Sequence, residues 1–156
     1  MSMAGLYEQF LAGWRAAIAA AWPEVVTNGI WDPGDPARLP YDEATQILRL
    51  PFAALAVDAL TPSNDWGADN RVWEPVVDVW YVDEFPVGNG AGLRLKLETL
   101  ADYLETNELP LGQIIPPEPE ISTSDLLAPN SLLMMLNATQ RAGRLRATCL
   151  IGVTRG

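Results

Sequence analysis

The last part of the chain contains the pattern that most restricts the fold. In residues 145–153 every odd position is apolar, and the even positions, counted from the preceding residue, start with Arg144, Arg146 and Thr148. A period of two is typical of a β-strand with one buried face and one face in water. We therefore expect the rest of the chain to supply an apolar layer over the odd face of this strand.

Two segments have the period of amphipathic helices. Residues 3–22 repeat a large apolar side chain every four positions, from Leu6 to Ile18, and Pro23 ends the pattern. Residues 93–105 carry a leucine stripe with charged side chains on the opposite side. The sequence therefore predicts two helices, each with one apolar face for packing.

Strand patterns occupy much of the remaining chain. A first strand or short hairpin is predicted over residues 24–31, with a turn at Asn28-Gly29, and further strands are predicted at residues 52–60 and 72–83. Pro75 lies within the last of these and removes a hydrogen-bond donor, which favours an edge or a bulge at that point. Residues 41–50 are predicted to form a short helix.

The chain is predicted to end in a β-hairpin. The apolar run 132–136 is predicted as a strand, and Gly143 fits the tight turn between it and the final strand. With 156 residues, 49% of them hydrophobic, the sequence is expected to form one domain over residues 1–156. The predicted fold class is α+β: a mixed, mainly antiparallel β-sheet with two helices packed on one face, ending in a C-terminal β-hairpin.

The charge of the chain is strongly acidic and unevenly distributed. Twenty acidic and ten basic residues give a formal charge of −10, which argues against wrapping nucleic acid by neutralising its phosphates. Residues 126–156 nevertheless hold four arginines and no acidic residue, so they carry +4 and residues 1–125 carry −14. This split favours head-to-tail pairing between copies of the chain. The alternative is that the arginines form the solvated face of an amphipathic strand.

The sequence lacks the residues on which most enzyme sites are built. It contains no histidine and one cysteine, which excludes histidine-based triads, zinc sites made of cysteine and histidine, and an internal disulfide. Cys149 lies on the apolar side of the last strand and is interpreted as a small core residue. The glycine-rich residues 88–92 lack the Gly-Lys-Ser/Thr of a phosphate-binding loop and are interpreted as a connector.

Acidic side chains are the remaining route to a metal site or to catalysis. Asp78, Asp83 and Glu84 form the best candidate cluster, which would suit Mg²⁺ or Ca²⁺. No acid–base pair stands out, and the spacing matches no EF-hand loop. We therefore expect no cofactor, no metal and no enzymatic activity, and interpret these acids as solvated or paired with a neighbouring subunit's arginines.

Two of the six tryptophans lie in or beside polar loops that are rich in proline and glycine. These are Trp31 and Trp66. Exposed tryptophans in loops are typical of interfaces. The alternative is that the loops fold back and the indoles cover the core.

No targeting or membrane segment is predicted. The N-terminal segment lacks the basic region that precedes the apolar part of a signal peptide. No apolar run approaches the roughly 18 residues of a membrane span. We expect a protein of the reducing cytoplasm.

The order of these features resembles one family of structural proteins. The features are the N-terminal helix ending at Trp22-Pro23, the apolar strand after Leu50-Pro51-Phe52, the aromatic strand of residues 76–82, the helix of residues 93–105, and the ending Ile121-Ser122, Pro129-Asn130 and Arg141-Ala142-Gly143-Arg144-Leu145. In this order and pattern the chain is similar to the tail terminator and tail-completion proteins of long-tailed bacteriophages. The long proline loops at residues 32–40 and 116–119 depart from a compact member, which leaves the choice between the terminator and another neck component open.

The resemblance implies a structural role in a virion, with no catalytic residues. The chain would form a ring of copies of itself, a hexamer, which ends polymerisation of the tail tube and is assembled in the host cytoplasm. Its partners would be the tail tube protein and a head or neck connector protein, and DNA would pass through the lumen without specific contact. The residues expected at interfaces with these copies and partners are Arg141, Arg144, Arg146, Trp31, Trp66, Asp78, Asp83 and Glu84.

Two other functions stay open on the sequence alone. A small binding module would use the loop tryptophans to hold a peptide or a sugar, and would be a monomer whose tryptophan fluorescence changes with ligand. An enzyme that works with carboxylates alone would lose its activity in the variant Asp78→Asn.

Overall fold

The computed structural model describes residues 3–58, 62–65, 70–86, 90–114 and 119–154. Within these residues the chain has the predicted α+β fold, in which helices pack on a mainly antiparallel sheet. None of the described helices is long and apolar enough to cross a membrane.

Most of the strands lie between the first two long helices along the chain. The helices are α1 (Met3–Ala21), α2 (Gly90–Thr106) and the short α3 (Asn130–Leu133), with 3₁₀ helices at Pro23–Val25, Pro36–Arg38 and Asp125–Leu127. The strands are β1 (Ile30–Trp31), β2 (Tyr41–Asp42), β3 (Ile47–Leu48), β4 (Phe52–Val57), β5 (Pro62–Asp65), β6 (Asn70–Trp73), β7 (Val76–Glu84), β8 (Gln113–Ile114), β9 (Glu120–Ser122) and β10 (Gln140–Thr154).

The main sheet is built around β10. Its strands are arranged in the order β1-β4-β7-β10-β6-β5, and β8 and β9 also pair with β10. Strand β1 is parallel to β4, and the other pairs are antiparallel. Because Arg144, Leu145 and Arg146 pair with both β7 and β9, these two strands lie on opposite edges of β10.

The predicted strand at residues 72–83 is present but interrupted. Strands β6 and β7 pair with successive parts of β10 in the same antiparallel register. Pro75, which lies between them, has no N–H to donate to the ladder. Its carbonyl accepts a hydrogen bond from the backbone N–H of Cys149 at 2.9 Å, so the ladder is interrupted without a change of register.

Helices α1 and α2 cover the sheet face that carries the odd positions of β10. The buried odd positions are Leu145, Ala147, Cys149 and Ile151. The helical side chains buried in the same core are Leu6, Phe10, Trp14, Ala17 and Ile18 of α1 and Leu93, Leu97, Leu100 and Leu104 of α2. The packing of two helices on one face and the burial of the odd positions from 145 to 151 are therefore confirmed, and the side chain of Val153 lies outside the described part of the structure.

The opposite face of the sheet has a second core. Its buried residues are Trp31, Leu48, Phe52, Ala54, Trp80, Val82, Ala128, Leu132 and Ala142. The loop after α1, the β2–β3 hairpin and the segment containing α3 supply the cover. Because β4 and β7 are buried on both faces over much of their length, their sequences are nearly continuous apolar runs.

The chain has the predicted C-terminal strand, β10, but the other strand of the predicted β-hairpin, at residues 132–136, is wrong. Residues of the run 132–136 begin in α3, and Leu132 is completely buried in the second core, so this run covers the sheet instead of adding a strand. Gly143 lies inside β10 and not in a turn. A Cβ atom on Gly143 would lie 2.7 Å from the Leu97 Cδ1 atom, so glycine is needed there for the close approach of α2.

Another local prediction is also wrong, and one is correct only in part. Residues 41–50 contain the β2–β3 hairpin instead of a helix: the Asp42 side chain accepts a backbone hydrogen bond in the turn, and Gln46 is in the left-handed region with φ 58°. Of the strand or short hairpin predicted over residues 24–31, Ile30–Trp31 is present as β1, but the chain forms the 3₁₀ helix Pro23–Val25 at its start. Proline fits the start of a helix because its φ is already helical and no N–H is needed at that position.

Parts of two predictions lie outside the described residues. Of the predicted strand 52–60, Phe52–Val57 is present as β4, and residues 59–60 are not described. Of the glycine-rich residues 88–92, Gly90 begins α2, and residues 88–89 are not described.

Candidate functional site

Two arginines and two acids lie together on the sheet face opposite α1 and α2. The antiparallel register places Arg146 opposite Asp78 of β7 and opposite Glu120 of β9. Arg144 lies two residues away and therefore on the same face, opposite Trp80. We call Asp78, Glu120, Arg144 and Arg146 the charged row; it continues the face on which the second core is built.

Arg146 is held by Asp78 within the same chain. Its Nε donates to Asp78 Oδ1 at 2.7 Å, and its Nη2 donates to Oδ2 at 3.0 Å. This two-point pairing matches the planar guanidinium to the carboxylate. The hydrogen bond and the charge of Asp78 raise the pKa of Arg146, which keeps the pair charged.

Arg144 is buried without a close partner. It is 8% exposed, and among the residues whose burial is described it is the one charged residue in the buried class. Its Nε atom lies 4.0 Å from Asp78 Oδ1, and its Nη2 atom lies 3.7 Å from Oε1 of Glu120, whose side chain is 69% exposed. Both distances are too long for a hydrogen bond, and Nε has no other partner in the described part of the chain.

Arg141 is paired at the other end of β10. Its Nε atom lies 2.8 Å from Asp125 Oδ2, and Asp125 Oδ1 accepts a hydrogen bond from the Ala142 backbone N–H at 3.1 Å. These contacts hold the 3₁₀ helix Asp125–Leu127 against the start of β10. The predicted basic face is therefore largely neutralised inside the chain, and Arg144 is buried within the chain, whereas the sequence placed it at an interface between copies or, in the alternative, on a solvated face.

The predicted carboxylate cluster does not form. Asp78 is engaged by Arg146, whereas Asp83 and Glu84 lie at the far end of β7. Asp83 Oδ1 accepts a hydrogen bond from the Glu84 N–H at 2.8 Å. Glu84 accepts hydrogen bonds from the Thr139 hydroxyl at 2.6 Å and from the Gln140 side-chain amide at 3.2 Å. No group of three metal-ligating side chains occurs among the described residues.

The tryptophans divide between the two cores. Trp31 is 3% exposed, and its indole N–H donates to the Asp35 carbonyl at 3.0 Å, so the loop folds back and the indole covers the second core. This matches the alternative interpretation of Trp31 and not an exposed interface. The other four described tryptophans are also buried; they are Trp14, Trp22, Trp73 and Trp80. Trp66 lies outside the described residues.

Cys149 is buried as a core residue, as predicted. Burial raises the pKa of its thiol to about 12. A thiol with so high a pKa is a poor nucleophile at neutral pH. The structure therefore gives Cys149 a packing role.

One surface feature was not predicted. Residues 126–140 contain no charged residue, and we call them the uncharged segment. Leu126 is 81% exposed and Met134 is 85% exposed. The segment is anchored by the buried Leu132 and by the Leu127 carbonyl, which accepts a hydrogen bond from the Trp80 indole at 3.0 Å. The absence of charge over this length of an acidic chain is the sequence signal that would have found it.

Two surface cavities lie away from the charged row. One of about 610 Å³ follows the end of α2 and has Glu105 and Glu108 as its charged residues. Another of about 330 Å³ lies between α1 and the following loop. The charged residues that line the smaller one are Arg15, Asp32, Asp35 and Arg38. Neither cavity contains a cysteine, and the chain has no histidine, so neither offers a nucleophile with a histidine base.

The chain matched no model of a protein family and no curated protein. The functional conclusions therefore depend on the fold, the charged row and the uncharged segment.

Proposed function

We propose that this chain is a structural ring subunit of a bacteriophage tail or neck. In this proposal six copies form a ring at the end of the tail tube, stop its polymerisation and join it to a head or neck connector. The ring is assembled in the host cytoplasm and stays in the virion. Two observations support the proposal. The order of elements along the chain resembles that of tail terminator proteins, and two helices pack on one face of an α+β sheet.

The uncharged segment is the observation that carries this proposal. Leu126 and Met134 expose large apolar side chains on a chain whose net charge is −10. Exposed apolar groups in a region without charge are typical of the centre of a protein–protein interface. Because Leu132 is buried in the second core, the segment presents these side chains from a fixed backbone. A subunit of an assembly needs such a surface.

The charge of the chain supports the proposed path of DNA. A surface with a net charge of −10 offers few cations to neutralise phosphates. DNA passing through a ring of such subunits would meet weak repulsion and no specific contact. The proposal therefore includes no nucleic-acid site, no cofactor and no catalytic residue.

The binding-module alternative has lost part of its support. It depended on exposed loop tryptophans, and Trp31 is buried. Its hydrogen bond to the Asp35 carbonyl also holds the indole in place. No observation favours the alternative over the ring subunit, so we propose one function.

Electron microscopy of the purified protein tests the proposal. At high protein concentration and low salt we expect rings of uniform diameter, and native mass spectrometry should give a single oligomer of six copies. If rings require a template, the protein should instead bind the ends of tubes assembled from the tail tube protein of the same genome. A monomer in all of these conditions that also leaves tube ends free would overturn the proposal.

A further inference from the structure

We infer that the outer surface of α2 in one copy of the chain receives the uncharged segment of the next copy. The inference rests on the proposed function, because it requires that copies of the chain associate. It goes further by naming the surface that lies opposite Leu126 and Met134 in that contact.

The outer surface of α2 points away from the main core. The leucines that face the core from this helix begin with Leu93 and Leu97. On the opposite side of the helix, residues four positions apart line up along its axis. These residues are Ala91, Leu95 and Thr99. All three are exposed, and Leu95 exposes a large apolar side chain that is 62% accessible.

The charged residues beside Leu95 are compensated in pairs. The Arg94 Nε atom lies 2.9 Å from Glu98 Oε1 on one side of the helix. On the other side, the Lys96 Nζ atom lies 3.1 Å from Oε2 of Glu24, which belongs to the 3₁₀ helix Pro23–Val25. The first half of α2 therefore presents an outer surface without net charge.

Charge decides which partner this surface suits. A cationic partner would be drawn to the exposed acids Asp102 and Glu105, which lie further along the same helix. A second copy has a net charge of −10 and is repelled by those acids. Its approach is least opposed where neither surface has net charge. The uncharged segment is such a surface, and it presents the exposed Leu126 and Met134.

The two surfaces lie on opposite sides of the sheet. Helix α2 packs on the main core, whereas the uncharged segment packs on the second core through Leu132. A contact between two different surfaces repeats from copy to copy until a ring closes. A contact of the uncharged segment with itself would be two-fold and would stop at a dimer. A ring therefore needs a second surface of this kind.

Few large apolar side chains are available for that second surface. The exposed ones among the described residues outside the uncharged segment are Val26, Ile47 and Leu95. Ile47 lies on the β2–β3 hairpin, which helps to cover the second core and is therefore on the same side of the sheet as the segment. Val26 follows the 3₁₀ helix that Lys96 holds beside α2, so it lies on the α2 side with Leu95.

Leu95→Glu tests the contact without disturbing the fold. The side chain is 62% exposed, so a charge there would stay in water in the isolated subunit, and we expect the wild-type melting temperature. In the assembly the charge would meet apolar side chains, and association in sedimentation velocity at low salt should weaken by about tenfold or more. Leu95→Gln, which adds no charge, should weaken association less.

Ala16→Glu is the matched control. Ala16 is exposed on α1, so this variant has the same net charge as Leu95→Glu but carries the added charge on the other helix. We expect it to associate like the wild type. An equal loss of association in the two variants would show that total charge and not this surface is responsible, and would overturn the inference.

A double variant tests which two surfaces meet. Met134→Lys alone places a cation in the apolar contact and should also weaken association. In a chain that carries both Leu95→Glu and Met134→Lys, opposite charges face each other between neighbouring copies, and association should recover relative to either single variant. The recovered association should weaken as salt is raised, because it depends on charge.

The possible results distinguish the inference from the proposed function. If Leu95→Glu forms wild-type rings, or if the double variant associates no better than the single ones, the inference is overturned and the ring proposal stands. If Leu95→Glu and Leu95→Gln both fail to fold, Leu95 is required within its own chain and the inference is also overturned. If the wild type associates on tube ends only, the fraction of capped ends replaces sedimentation as the measurement for all variants. If the wild type neither associates nor caps tube ends, the proposed function fails, and the inference fails with it.

Discussion

Arg146 and Asp78 face each other across the β7–β10 pair and are joined by hydrogen bonds of 2.7 and 3.0 Å. The same two strands carry Val79 and Leu145 toward the helices on the other face. A shift of one residue between the strands would turn every side chain of one strand to the wrong face. The ion pair and the apolar core therefore specify the same register.

Asp78→Asn should destabilise the fold. The substitution removes the charge that balances Arg146 and is nearest to the Nε atom of the buried Arg144. Loss of a hydrogen-bonded charge partner at a site that is mostly buried costs about 1–3 kcal/mol of unfolding free energy. Urea unfolding followed by tryptophan fluorescence measures this change.

Asp35→Asn is the control for the Asp78 substitution. Asp35 pairs with Arg38 at 3.2 Å, but the two side chains are 47% and 86% exposed. Exposed ion pairs contribute about 0–1 kcal/mol. An equal loss in both variants would contradict a special role of Asp78 in holding the charged row.

Gly143→Ala should destabilise the packing of α2 on β10. The added Cβ atom would lie 2.7 Å from Leu97 Cδ1 and 3.1 Å from two Leu93 atoms. Overpacking of this kind costs about 1–3 kcal/mol. Gly152→Ala in the same strand is the control, because nothing lies within 4 Å of its Cβ position. Thermal melts that change equally for the two variants would contradict the close approach of α2.

Stability should fall in strongly alkaline solution, and Cys149 should contribute. Burial raises the pKa of its thiol from an ordinary 9.0 to about 12. The unfolded chain therefore releases this proton at a lower pH than the folded chain, so the contribution is present below about pH 9 and is lost as the pH rises toward 12. Cys149→Ala should show a smaller fall over this interval in urea unfolding, whereas an identical slope would contradict the prediction.

The elements with strong local periodicity could be predicted from the sequence. The leucine stripe of α2 and the alternation in β10 depend on which side chains face the core, and this is visible in the order of residues. The second core could not be predicted from a periodic pattern of this kind. A continuous apolar run such as Phe52–Val57 is compatible with burial on both faces, but it does not tell what covers the second face.

The errors have specific physical causes. Periodicity alone does not distinguish a short apolar strand from a helical turn, and residues 132–136 were assigned to the wrong one. In residues 41–50 the positive φ of Gln46 permits a tight turn that its residue type does not announce. The burial of Arg144 and its separation from Asp78 depend on strand pairing between distant parts of the chain, which no local pattern contains.

The exposed apolar side chains of the uncharged segment should be required for assembly and not for folding. Met134 is 85% exposed and Leu126 is 81% exposed, so a glutamate at either position would remain in water in the isolated subunit. We expect Met134→Glu and Leu126→Glu to change the free energy of unfolding by no more than about 0.5 kcal/mol. In the proposed ring each would bury a charge in an apolar contact, and the fraction of ring particles in electron micrographs should fall sharply.

Ile47→Glu is the control, since Ile47 is 51% exposed and lies on the β2–β3 hairpin outside the segment. Wild-type rings formed by Met134→Glu and Leu126→Glu would show that this surface faces solvent in the assembly.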